Sequence, residues 1–228
     1  MLSAIIVAAG SSRRMGFNKL FATIAGKPVI AHTIRAFERA SSVTEIMMVA
    51  CKDRHDEIRK IAVDERFGKL RSIIAGGEHR QDSVRAGLDH LNAEAKYVAV
   101  HDAARPLITA EQIEPVFVQC LAHGAAALAE PISDTRKRAD VDLIVTSSVD
   151  RHQLYAMQTP QIFERALIEE AYRAVYAEKV SVTDEVSAVE RLGRKVVVVL
   201  NQDFNFKITY PQDLPLAEFV LKQRTHRA

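Results

Sequence analysis

Six short, almost unbroken apolar runs punctuate the chain, at residues 4–8, 45–50, 70–75, 97–101, 125–129 and 195–200. None alternates cleanly between apolar and polar positions, so none has one wet face. Runs of this kind predict strands of a sheet covered on both sides. Between them the period becomes helical. Ile30, Ile34 and Phe37 fall at i, i+4 and i+7, as do Val84, Leu88 and Leu91. Ile113, Val116, Phe117, Cys120 and Leu121 trace a third stripe,. Thr109 followed by Gln112 predicts a capping box at the start of that third helix, and Pro28 and Pro211 suit the first turns of the helices they open,. Alternating strands and helices imply parallel pairing through right-handed crossovers. The expected fold class is α/β: a doubly wound, mostly parallel, Rossmann-like sheet in a single domain over residues 1–228. Ligands of such sheets gather at the carboxyl ends of the strands, which singles out residues 8–19, 76–83 and 101–106,.

Residues 133–160 break this rhythm and carry no clean helical period. They predict a protruding hairpin of two extended pieces around residues 139–142. A disordered loop is the competing reading, but the Leu143-Ile144-Val145 run has something to bury. A stretch of this length without a helix usually has a task of its own. The preferred reading is an arm that reaches a second subunit, giving a homodimer.

Composition narrows the function more than the fold. Of 228 residues, 48% are hydrophobic and 26% charged, which excludes a disordered chain,. Lys and Arg number 31 against 29 Asp and Glu, for a net charge of +2. That near-balance argues against a dedicated nucleic-acid binder, and the basic tail at 222–227 reads as a frayed, solvated end,. No apolar run approaches the ~18 residues of a membrane span. The start, MLSAIIVAAG, lacks a basic leader and reads as a buried first strand rather than a signal peptide,. Cys51 and Cys120 both lie in apolar stretches and read as reduced core thiols of a cytoplasmic protein,. His101, inside an apolar run, reads as structural.

The chemistry concentrates after the first run, in Ala8-Ala9-Gly10-Ser11-Ser12-Arg13-Arg14-Met15-Gly16 and then Lys19. Small residues let backbone N–H groups close on an anion, and three cations follow. This is either a triphosphate cradle or an ordinary turn with solvated arginines; spacing alone leaves both open. No GxxxxGK[ST], GxGxxG or GxSxG occurs, so P-loop, dinucleotide and serine-hydrolase readings lose their sequence support,.

Seven segments then fall into one order: AAGSSRRMG (8–16) with Lys19, AGGEHRQDSV (75–84), HDAARP (101–106), SDTRKRA (133–139), VDRHQLYAMQTPQIF (149–163), VTDEVSAVE (182–190) and NFKITYPQDLPLAE (205–218). In these the chain resembles the 2-C-methyl-D-erythritol 4-phosphate cytidylyltransferases of the non-mevalonate isoprenoid pathway, within the wider sugar-phosphate nucleotidyltransferases. The resemblance implies a Rossmann-like nucleotidyltransferase that joins CTP to methylerythritol phosphate with Mg2+ and releases pyrophosphate. By it, Arg14 and Lys19 stabilise triphosphate charge, and Arg151 and Lys207 hold the acceptor's phosphate as further catalytic residues. Ala8, Ala9, Gly10, Ser12, Arg13, Gly77, Glu78, Arg80, Ser83, Asp102 and Ala103 would surround the nucleotide. Asp102, Arg105, Thr135, Arg151, Thr183 and Lys207 would face the acceptor, with Thr135 and Arg151 serving the neighbouring subunit's site. Asp102 could hold a substrate hydroxyl or a metal-bound water; no protein metal ligand is implied. Ser12 stands where many relatives have glycine, Asn18 where proline is common and Glu78 where aspartate is frequent. Two alternatives remain: the same transfer to another polyol phosphate such as ribitol 5-phosphate, and a non-catalytic nucleotide-binding protein.

Overall fold

The computed structural model describes residues 1–10 and 15–227. Along the chain run β1 (Leu2–Ala8), the two-residue strands β2 (Thr23–Ile24) and β3 (Lys27–Pro28), α1 (Val29–Arg39), β4 (Val43–Ala50), α2 (His55–Asp64), β5 (Leu70–Ala75), α3 (Arg80–Asp89) and β6 (Tyr97–Asp102). There follow α4 (Ala110–His123), β7 (Ala125–Pro131), β8 (Arg136–Ala139), β9 (Val145–Val149), β10 (Tyr155–Glu164), α5 (Arg165–Ala177), α6 (Glu185–Glu190), β11 (Val197–Leu200) and α7 (Asp213–Arg227). Seven strands form the central sheet in the order β11-β7-β10-β6-β1-β4-β5. All neighbours are parallel except β10, which pairs antiparallel with β6 on one side and β7 on the other. The doubly wound, mostly parallel sheet expected from the apolar runs is therefore present.

Why those runs do not alternate is plain from β1. Leu2, Ala4, Ile6 and Ala8 face one core, with α1, α2, α4 and α7, while Ile5 faces a second core, with α3, α5 and α6. Both sheet faces are covered, so both must be apolar. Helix α1 buries Ile30, Ile34 and Phe37 as its period requires, and Pro28 caps it with φ −58°,. Gln112 Oε1 accepts the Thr109 N–H at 2.9 Å and completes the capping box of α4. Helix α3 packs so closely on β1 that a Cβ on Gly87 would stand 2.8 Å from Ile5 Cγ2.

Several expectations are corrected. The ten-residue β10 is a central strand, so residues 155–160 belong to the sheet and the arm is shorter than 133–160. The arm itself is the β8–β9 hairpin, turning at 140–144, and its Leu143, Ile144 and Val145 are exposed on this chain. Leu121 leaves the apolar stripe of α4 and is exposed. Cys120 is buried, but Cys51 sits just past the end of β4 and is exposed. The tail is helical to Arg227, and Arg224 donates to Leu107 O at 2.6 Å and to Asp203 Oδ2 at 2.6 Å. Among the described residues, no helix is long and apolar enough to cross a membrane.

Candidate active site

Strands β1, β4, β5 and β6 end on one edge, and there the chain opens a cavity of about 380 Å³. Ala8, Ala9 and Gly10 line it from the end of β1, Gly77 to Arg80 from the turn into α3, Asp102 from the end of β6, and Lys19, Lys207 and Thr209 from two further segments. The turn after β5 demands glycine. A Cβ on Gly76 would lie 2.3 Å from Ala9 Cβ and 2.7 Å from Ser83 Oγ, and one on Gly77 would lie 2.3 Å from Asp82 Cβ. Ser83 Oγ accepts the Gly77 N–H at 3.2 Å, and Asp82 Oδ2 accepts the His79 N–H at 2.9 Å. Tyr176 of α5 in turn donates to Asp82 Oδ1 at 2.6 Å. The backbone at the head of α3 is thus held open to the cavity by its own side chains.

Two lysines enter from sequence-distant stretches. Lys19 stands on a short 3-10 turn whose Asn18 side chain accepts the Leu20 N–H at 3.2 Å, and buried Leu20 anchors it. The Lys19 ammonium donates to Ile208 O. Lys207 belongs to an extended segment tied down on both sides: Ile208 N–H donates to Ala104 O at 2.8 Å, and Asn205 Nδ2 donates to Thr159 O at 2.9 Å. With Ile208 buried, Lys207 turns the other way and donates to Asp102 Oδ2 at 2.9 Å.

Asp102 is the hub of the site. Its Oδ1 also accepts from Arg80 Nε at 3.0 Å, and Arg105 Nε stands 3.8 Å from its Oδ2. Burial, the largest single influence, pushes its pKa up; Arg80, Lys207 and Arg105 together outweigh it and hold the carboxyl well below the usual carboxylate range,. Arg80 continues to α6, with Nη1 at 2.7 Å from Glu185 Oε1 and Nη2 at 2.9 Å from Glu185 Oε2. Burial works against the Arg80 charge, but Glu185 and Asp102 raise its pKa. Behind the hub, burial pushes His101 down to about 3 and leaves it neutral. Thr159 Oγ1 accepts the Asp102 N–H at 3.1 Å, so its hydroxyl donates to His101 Nδ1 at 3.0 Å. His101 Nε2–H then points to Arg105 O at 3.4 Å. The structural reading of His101 fits this chain of bonds.

A second hollow of about 250 Å³ adjoins the first. Arg80, Asp102 and Lys207 line both, and Arg105, Thr183 and Asp184 line the second. Of the expected site residues, Ala8, Ala9, Gly10, Lys19, Gly77, Glu78, Arg80, Ser83, Asp102, Arg105, Thr183 and Lys207 are thus brought together. Ala103 is not among them: it is buried behind the wall, its N–H on Val7 O at 3.0 Å and its carbonyl taking the Thr33 hydroxyl at 2.9 Å. Thr135 and Arg151 stand exposed on the arm, where Arg151 donates to Ser133 O. Ser12, Arg13 and Arg14 fall outside the described residues. Sequence reasoning gave no role to Gln161 or Glu185, although both lie in quoted motifs. Gln161 Oε1 accepts the N–H groups of Glu185 at 3.1 Å and Val186 at 3.0 Å and so fixes the start of α6.

Cations on a shared wall between two hollows suit two anionic partners brought edge to edge. The family model of 2-C-methyl-D-erythritol 4-phosphate cytidylyltransferase, IspD, matches residues 2–223. The chain belongs to this family. The curated enzyme of that name from Halalkalibacterium halodurans is 39% identical over 227 residues, covering 99% of each chain. That from Pelotomaculum thermopropionicum is 40% identical over 230 residues, covering 99% of this chain and 96% of the relative. Among solved structures, the 4-diphosphocytidyl-2C-methyl-D-erythritol synthase of Anaerococcus prevotii superposes with a TM-score of 0.86 at 32% identity, over 97% of this chain and 96% of its own. Membership of the cytidylyltransferase family makes this chain a nucleotidyltransferase, as its motifs implied.

Proposed function

We propose that the chain transfers a cytidylyl group from CTP to 2-C-methyl-D-erythritol 4-phosphate in isoprenoid precursor synthesis. One observation carries the reading: Lys207 and Asp102 stand on the wall between a glycine-lined hollow that also holds Lys19 and a second hollow that holds Thr183 and Arg105. The acceptor's phosphate oxygen attacks the α-phosphorus of CTP, the new P–O bond forms as the bond to the β-phosphate oxygen breaks, and pyrophosphate leaves with the electron pair. Charge gathers on the α-phosphate and the leaving group as this happens. Fixed cations stabilise that charge, and no covalent nucleophile is required. Lys19 serves the triphosphate and Lys207 the acceptor's phosphate, with Arg14 and Arg151 as their partners in the same tasks. Asp102 keeps Lys207 in place rather than contacting substrate alone.

The donor set fits Mg2+ carried by the CTP phosphates rather than held by the protein. Both Asp102 oxygens already accept from cations, and no group of three His, Cys, Asp or Glu able to hold a metal occurs among the described residues. So bound, the ion would neutralise phosphate oxygens. The exposed arm, which carries Thr135 and Arg151 and leaves Leu143, Ile144 and Val145 uncovered, supports a homodimer in which each arm serves the other subunit. An exposed free thiol at Cys51 suits the reducing conditions of a cytoplasmic enzyme,.

Pyrophosphate release with CTP, Mg2+ and a panel of acceptors tests the proposal. Turnover should be fastest with methylerythritol phosphate and with CTP among the four nucleotides. Faster turnover with ribitol 5-phosphate would replace the acceptor, and CTP binding without turnover on any polyol phosphate would replace the reaction.

A further inference from the structure

We propose that Glu185 is a positioning residue for cytidylyl transfer, acting through Arg80 and Asp102 to set where the Lys207 ammonium stands. The inference rests on the function just proposed and names a further determinant of the same site. Glu185 itself lines neither hollow, and its side chain is 0% exposed. A carboxylate so buried persists only if its oxygens are satisfied. Three donors do so: Arg80 Nη1 at 2.7 Å, Arg80 Nη2 at 2.9 Å and Tyr172 Oη at 3.0 Å. The planar fork of Arg80 then has one orientation, and its remaining edge presents Nε to Asp102 Oδ1,. The other Asp102 oxygen is thereby left to Lys207, which is 39% exposed and has four rotatable bonds to lose. A strut of alternating charge thus runs from α6 through α3 and β6 to the lysine.

The arrangement is more than packing because Arg80 bridges two carboxylates on separate elements. Without Glu185 the guanidinium keeps only Asp102, can rotate to take both its oxygens, and competes there with Lys207. A neutral glutamine at 185 preserves volume and the Tyr172 contact while removing the charge that holds Arg80 back. The effect should fall on the chemical step and the acceptor rather than on CTP.

Steady-state kinetics with both substrates varied, on E185Q, R80M and the double variant, test this, with melting temperatures recorded alongside. E185Q should lower kcat about tenfold and raise acceptor KM, while CTP KM moves less than about threefold. The double variant should be no slower than R80M alone, because a residue that acts only through Arg80 has nothing left to act on. A kcat and acceptor KM unchanged in E185Q, or the full E185Q penalty persisting in the R80M background, overturns the assignment. If E185Q fails to fold, R80K decides: lysine keeps the charge but cannot span two carboxylates, so loss of kcat supports the strut and wild-type kinetics overturn it. Turnover by the unsubstituted chain separates the two readings. Its absence overturns the proposed function and this inference with it, whereas turnover with an indifferent E185Q overturns this inference alone.

Discussion

The strand-end cluster and the arm are built on opposite plans. In the cluster, Asp102 of β6, Glu185 of α6 and Arg80 of α3 come from different elements, are largely removed from solvent, and pair with one another within a single chain. In the arm, every residue of β8 is exposed, and Val141 and Leu143 are 96% and 85% exposed. The same residue class, arginine, is buried between carboxylates in one region and exposed to solvent in the other. The contrast teaches which part of the molecule a lone chain packs to completion and which part the proposed dimer would have to cover.

Lys19→Ala strikes the completed half and should do the most harm. We expect kcat to fall at least a hundredfold, about 2.7 kcal/mol of barrier. A near-normal rate would remove Lys19 from the chemistry. Gly76→Ala attacks the same half by bulk alone. The added methyl meets Ala9 and Ser83, so the protein should lose about 1–3 kcal/mol of stability, and calorimetry should show CTP binding weakened about tenfold,. Unchanged melting and affinity would mean that the turn relaxes and that its tightness is incidental.

The arm calls for a different kind of experiment. Lys19→Ala and Arg151→Ala chains, each nearly inactive, are mixed and allowed to exchange. If arms serve the opposite subunit, half the dimers are mixed and each has one intact site, restoring about a quarter of wild-type activity. No recovery at all would confine each site to one chain and erase the division between the two regions.

The smallest effect is thermodynamic. His101 is held neutral down to about pH 3, whereas the unfolded imidazole titrates near 6.5,. Its folded pKa is the lower, so its contribution is complete above pH 6.5 and is lost as pH falls from there toward 3. The slope is at most about 1.4 kcal/mol per pH unit. Asp102, also depressed, adds loss of the same sign only below about pH 4,. Urea unfolding between pH 7 and 4.5 should therefore flatten in His101→Gln. An unaltered slope would show that His101 does not carry the acid sensitivity of the cluster.

What could be read from sequence follows from how each signal arises. Ala8–Gly10, Gly77 and Asp102 were legible because apolar runs stop there, and the carboxyl ends of parallel strands share one edge. Strand β10 was not, because Pro160 interrupts its run and Gln158, Thr159 and Gln161 are buried polar residues; its ladder with β7 is broken between Met157 and Gln161, where the proline sits,. Glu185 was illegible for another reason. A lone glutamate reads as surface, and the arginine that makes its burial tolerable lies 105 residues away. Cys51 misled because its apolar context ends one residue before it.

One detail at the root of the hairpin has a wider bearing. Ile132 N–H donates to Leu154 O at 3.1 Å, and Tyr155 then pairs with Pro131 as β10 and β7 run into the sheet. The chain is stitched shut below the projection, so everything beyond that stitch could be shortened, exchanged or grafted while the strands beneath close as a plain two-strand turn. The fold and the projection can therefore change independently, and in the proposed dimer the difference would be recorded in the grip on a neighbour and in the acceptor contacts of Thr135 and Arg151.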